Sequence, residues 1–196
     1  MSHPEFKAVF ELLAMLVLDW RTGTLIFLLI TAAVVDYRSH RIPNWLVLSG
    51  ILFGVIYNVA FPPFPHANVL WPLEGLGMGF IIFLPLYLIG AMGAGDVKLM
   101  TMVGAIIGPV GMIWVLPLTM IAGGALSILL VLVRGTAGRM LRNLMMLFRL
   151  GFLNTLSGAR PDLHIEAGAS AGKLPYGVAI AIGAIGYLVV RQLGFL

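Results

Sequence analysis

Between Lys98 and Arg134 the chain runs through residues 99–133 without one charged side chain. Such a stretch belongs in hydrocarbon, where about 20 apolar residues in a helix cross the core of a bilayer. At about 1.5 Å per residue a single helix over these residues would exceed about 50 Å, too long for one crossing. The stretch therefore has to turn back on itself, and Gly108-Pro109-Val110-Gly111 supplies the turn chemistry in its first third.

Applied to the whole chain, the same measure gives six apolar spans, at about 22–38, 44–60, 69–91, 96–111, 113–133 and 174–191. The composition agrees. Of the 196 residues 60% are hydrophobic and only 10% charged, and the mean hydropathy is +1.03, whereas a soluble domain is about 45–50% apolar. The expected fold is an all-α polytopic membrane protein of about six transmembrane helices, forming a single domain over residues 1–196. Segment 1–21 holds too few apolar residues between its charges for a crossing and reads as an interfacial helix. Its beginning, MSHPEFKAVFELLAM, carries acids and no basic cluster, so a secretory signal is not expected there.

Alternating six spans collects Arg38, Arg41, Lys98, Arg134, Arg139, Arg142, Arg149, Arg160 and Lys173 on one side, against Lys7, Arg21 and Arg191 on the other. The positive-inside rule makes the first side cytoplasmic. The loop FPPFPHAN, residues 61–68, has no Lys or Arg, as an outer loop should. Connection 134–173 becomes a cytoplasmic loop. In it Leu141, Leu144, Met145, Phe148 and Phe152 recur at helical spacing opposite Arg139, Arg142, Asn143 and Arg149, the pattern of an amphipathic helix lying on the inner leaflet. The net charge of +4 is scattered through these connections, so the partner implied is the lipid bilayer and no nucleic acid is expected.

Against this background two acids stand out. Glu5, Glu11, Asp19, Glu74, Asp162 and Glu166 fall in loops or near span ends, but Asp36 follows TLIFLLITAAVV and Asp96 opens VKLMTMVGAIIG. The topology sets both at cytoplasmic helix ends, hence at one depth. A carboxylate there costs a few kcal/mol and is tolerated for function or for pairing with a cation. The inert alternative has Asp36 paired with Arg38, Arg41 or Lys98 and Asp96 capping its helix. Small residues flank both acids: Ala32 and Ala33 before Asp36, and Gly90, Gly93 and Gly95 before Asp96. They permit close approach by a helix or an extended peptide. Two carboxyls within hydrogen-bond reach divide into an acid and a base, a pair suited to peptide hydrolysis by water. No cofactor or metal is expected: cysteine is absent, no HExxH occurs, and His3, His40, His66 and His164 lie in separate segments. Ser49 and Ser157 lack the GxSG context of a serine nucleophile.

Gly93-Ala94-Gly95-Asp96, followed by Val97-Lys98-Leu99-Met100, resembles the GxGD signature of the prepilin peptidases, and Asp36-Tyr37-Arg38-Ser39-His40-Arg41-Ile42-Pro43-Asn44 resembles their first motif, an Asp followed by a basic residue and IPN. Leu174-Pro175-Tyr176-Gly177 is similar to the family's PFG-type motif, with Tyr for the usual Phe. The resemblance implies an intramembrane aspartic endopeptidase with Asp36 and Asp96 as catalytic residues. It acts on a prepilin or pseudopilin at the cytoplasmic face of a bacterial inner membrane, with pilus or secretion assembly proteins as possible partners. Gly93, Gly95, Lys98, Arg38, Asn44, Pro175 and Gly177 become candidates for substrate binding or support. For Asn44 a helix cap, and for Pro175 a helix opener in the first turn, are the structural readings; Arg38, Arg41 and Lys98 equally suit inside-positive anchoring. The missing CxxC pairs and the early position of Asp36 resemble the short tight-adherence members, without a methyltransferase region. Two other classes stay open: a proton-coupled transporter using the acids as relays, and a non-catalytic pilus or secretion assembly subunit.

Overall fold

The computed structural model describes residues 19–64, 68–90, 92–135, 138, 145 and 175–195. The interfacial helix expected in segment 1–21 lies outside them except for its last three residues, and so, apart from isolated positions, does the amphipathic helix expected within 134–173. The chain divides into two compact units, Met1–Gly123 with Pro175–Leu196, and Gly124–Leu174. What is described of the second is chiefly the last ten residues of one helix.

Six helices are described: α1 (Trp20–Ser39), α2 (Asn44–Ala60), α3 (Trp71–Leu88), α4 (Ala94–Ile107), α5 (Pro109–Val133) and α6 (Tyr176–Gln192). Each overlaps one of the six expected stretches. By length and composition α1, α3 and α5 are long and apolar enough to cross a bilayer, while α2 and α6 are shorter apolar helices of 17 residues each. Phe27, Ile56, Ile81 and Ile121 are exposed on their outer faces, as suits helices solvated by lipid.

The helix boundaries follow local chemistry. Asp19 caps α1, its carboxylate accepting from the Arg21 N–H at 3.3 Å and the Thr22 hydroxyl at 3.3 Å. At the other end His40 turns left-handed (φ 49°) and returns its N–H to the Asp36 carbonyl at 2.8 Å. The expected division of residues 99–133 is present, but its turn is one residue long. Gly108 alone separates α4 from α5, because its φ of +83° reverses the chain and Pro109, having no N–H to satisfy, fits the first position of the next helix. Hence α5 starts at 109 instead of 113. At its front α4 starts at 94 instead of 96.

In the first unit α4 is the central post, with eleven of its 14 residues buried and α1, α2, α3 and α6 packed around it. Two glycine seams allow this. On α3, a Cβ at Gly75 would strike the Gly104 carbonyl oxygen of α4, and one at Gly79 would come within 2.5 Å of the Met100 carbonyl oxygen. On α2, Gly50 and Gly54 lie against Met102 and against Ala105 and Ile106. Small residues four apart on both neighbours let backbones approach where hydrocarbon itself gives no drive to associate.

The C-terminal end of α4 has orphan carbonyls that lipid cannot satisfy. Asn58 of α2, buried, donates from Nδ2 to the carbonyls of Ala105 (3.0 Å) and Ile106 (3.2 Å). Arg21 of α1 donates from Nε to Ile106 (2.9 Å) and from Nη2 to Ile107 (3.3 Å), its guanidinium 5.0 Å from the centre of a Trp71 ring. A cation at a helix C-terminus also meets the negative end of the helix dipole. Arg21, counted above as a loop charge, is thus a partly buried cap.

Candidate active site

At the opposite end of α4, the first turn carries Asp96 at its third position. Asp96 Oδ2 accepts the N–H of Gly93, the N-cap residue, at 3.0 Å, one half of a capping box. Asp36 sits in the last turn of α1. Its Oδ2 accepts the N–H of Gly177, in the first turn of α6, at 2.8 Å. Both acids are buried, Asp36 to 6% exposure and Asp96 to 7%.

They open into one cavity of about 290 Å³ lined by Asp36, His40, Arg41, Ile42, Asn44, Gly93, Ala94, Gly95, Asp96 and Lys98. The C-terminal end of α1 and the N-terminal ends of α2 and α4 meet there, and the α6 N-terminus stands behind Asp36. Among the described residues neither pairs with a cation, so the inert pairing of Asp36 with Arg38, Arg41 or Lys98 is not what the chain uses. Each acid instead faces a helix N-terminus, where free N–H groups carry roughly half a positive charge. Each also has its Oδ1 without a hydrogen-bond partner among the described residues.

The expected site residues divide into those that meet and those that do not. Asp36, Asp96, Gly93, Gly95, Lys98 and Asn44 share the cavity. Arg38 does not line it and is exposed in the last turn of α1. Asn44 is not the cap expected: Pro43 occupies the N-cap position of α2, without a side-chain bond. Asn44 is the first helical residue and accepts the Lys98 ammonium at 3.0 Å, tying the two motifs together. Pro175 is the N-cap of α6, one position before the first turn where it was expected. Gly177 stays outside the cavity lining but touches Asp36 from behind. Gly90 turns the chain before α4 with φ +75°.

Three features were not read from the sequence: His40 as a cavity residue, Ile42 at 3.4 Å from where a Gly95 Cβ would stand, and the cap of α4 by Arg21 and Asn58. Asn58 did leave a trace, as a polar residue four positions after Gly54 within an uncharged apolar run.

A model of the type IV leader peptidase family matches residues 23–128. The chain belongs to the type IV leader peptidase family. The matched segment spans more than half of the 196 residues and holds both acids and the whole cavity lining; Pro175 and Gly177 fall outside it. Neither a curated protein nor a solved structure matches the chain. A peptidase of this family, built of apolar helices, is a membrane-bound hydrolase, and its cavity offers two carboxyls on separate helices as the groups able to move protons.

Proposed function

We propose that the chain is an aspartic endopeptidase in which Asp36 and Asp96 act together to remove the short leader of a prepilin or pseudopilin. One observation carries this reading: two buried carboxyls from different helices line the same cavity, and among the described residues neither forms an ion pair. Like charges so placed do not both ionise readily, so a single proton is held by the pair. The ionised carboxyl takes a proton from water while the water oxygen bonds to the scissile carbonyl carbon. The protonated carboxyl gives its proton to the carbonyl oxygen. When the tetrahedral intermediate collapses, the carbon–nitrogen bond breaks, the departing amine takes the proton drawn from water, and the hydroxyl proton returns to the pair. The N-termini of α2, α4 and α6 converge on the acids and favour negative charge there. Gly93 and Gly95, bare of side chains at the cavity wall, leave room for an extended substrate backbone.

The site is read as facing the cytoplasm in a bacterial inner membrane, where the polar leader meets the hydrophobic mature helix. We read the chain as a tight-adherence-type member, since it has no cysteine and so none of the CxxC pairs that accompany methyl transfer. Pilus or secretion assembly proteins are its natural neighbours. The test is purified full-length chain in lipid or detergent with a prepilin, followed by mass spectrometry of the product. Loss of the leader at one bond, unchanged by chelator and without methylation from S-adenosylmethionine, is the expected result. Intact prepilin, or cleavage that survives in Asp36→Asn or Asp96→Asn, contradicts it.

A further inference from the structure

We infer that the main-chain N–H of Gly177 is a positioning group for the reaction, holding Oδ2 of Asp36 so that Oδ1 alone is presented to the cavity. This rests on the proposed role of Asp36. The contact joins residues 141 apart in sequence, from a helix beyond the segment that the family model matches. It is short, 2.8 Å, and buried.

The glycine is required by space. A Cβ at 177 would lie 2.9 Å from the Asp36 Cβ, 2.9 Å from its Oδ2 and 3.1 Å from its Cγ. The first two contacts are below what real Cβ atoms tolerate, and the Asp36 Cβ is fixed to the α1 backbone. A methyl group there must therefore push the α6 N-terminus away from the acid or rotate the carboxyl. Farther along α6, Gly183 packs against Thr119 so closely that a Cβ at 183 would strike its hydroxyl. The N–H is thus delivered by a helix with little freedom to yield.

The experiment compares Gly177→Ala with Gly186→Ala, a control on the same helix where a Cβ meets nothing within 4 Å. Gly177→Ala is expected to lose about 10²-fold in kcat, the scale of an ångström-sized misplacement. KM should stay within about twofold, because residue 177 does not line the cavity. The acidic limb of its kcat profile should also be displaced. Gly186→Ala should behave as wild type. Should Gly177→Ala fail to fold, glycolate at 177, which replaces the N–H by an ester oxygen and adds no side chain, is expected to show the same kcat loss. Wild-type kcat in Gly177→Ala or in the ester overturns the inference, as does a loss carried by KM with an unchanged profile. If Asp36→Asn is inactive in the same preparation while the residue-177 variants are fully active, the dyad stands and only the role of Gly177 falls.

Discussion

Single side chains at the two ends of α4 have different tasks. Asp96 at its start is exposed to the cavity and available for chemistry. Asn58 and Arg21 at its end close the helix off. Asn58→Leu keeps approximate volume but removes the donor to the buried Ala105 carbonyl, while the Ile106 carbonyl keeps its bond from Arg21. Such a loss costs about 1–3 kcal/mol, to be read as a lowered midpoint of unfolding in detergent with KM unchanged. The acids were legible in the sequence because a carboxyl beside long apolar runs is expensive and therefore conspicuous. The Arg21 cap was not. An arginine at a span end looks like any interfacial anchor until the carbonyls it serves, 85 and 86 positions away, are folded next to it.

Helices are placed by what their glycines allow. Gly75 and Gly104 lie backbone to backbone, so Gly104→Ala drives a methyl group into the Gly75 carbonyl. A destabilisation of about 1–3 kcal/mol, the usual range for overpacking, is expected. Gly77 on the same helix as Gly75 meets nothing within 4 Å, so Gly77→Ala should be neutral or stabilise by up to about 1 kcal/mol through helix propensity. Unfolding of the two variants in parallel checks the pair; equal effects would mean that α3 and α4 do not pack as described. The existence and order of the helices were readable from apolar run lengths, and the break at Gly108-Pro109 from turn chemistry. The seams were not read, since glycines spaced by four are common in apolar helices and only the partner helix shows which of them it presses on. Gly177 illustrates the same limit at the site: its motif was visible, but the hydrogen bond to Asp36 exists only after α6 returns to α1.

At the largest scale, within the first unit, the cavity with the two acids lies at one end of α4 and the Arg21–Asn58 cap at the other. The Asp36–Asp96 end adjoins Arg38, Arg41 and Lys98, the cluster that the charge rule assigns to the cytoplasm. The chain has no cysteine, so single introduced cysteines report topology cleanly. Cysteine at Ser39 or Gly135 should react only with reagent reaching the cytoplasmic face, and cysteine at Phe64 or Phe195 only with reagent outside. The reverse pattern would place the cavity on the wrong side for a cytoplasmic leader. The central claim, that the two carboxyls work as one unit, is tested most directly by the rate of leader cleavage in Asp36→Asn, Asp96→Asn and the double variant, all with wild-type unfolding midpoints. Each single change should cost at least about 10³-fold and the double change no more than the larger single loss, as residues acting as a unit behave. Losses that multiply, or one single variant near the wild-type rate, would contradict it.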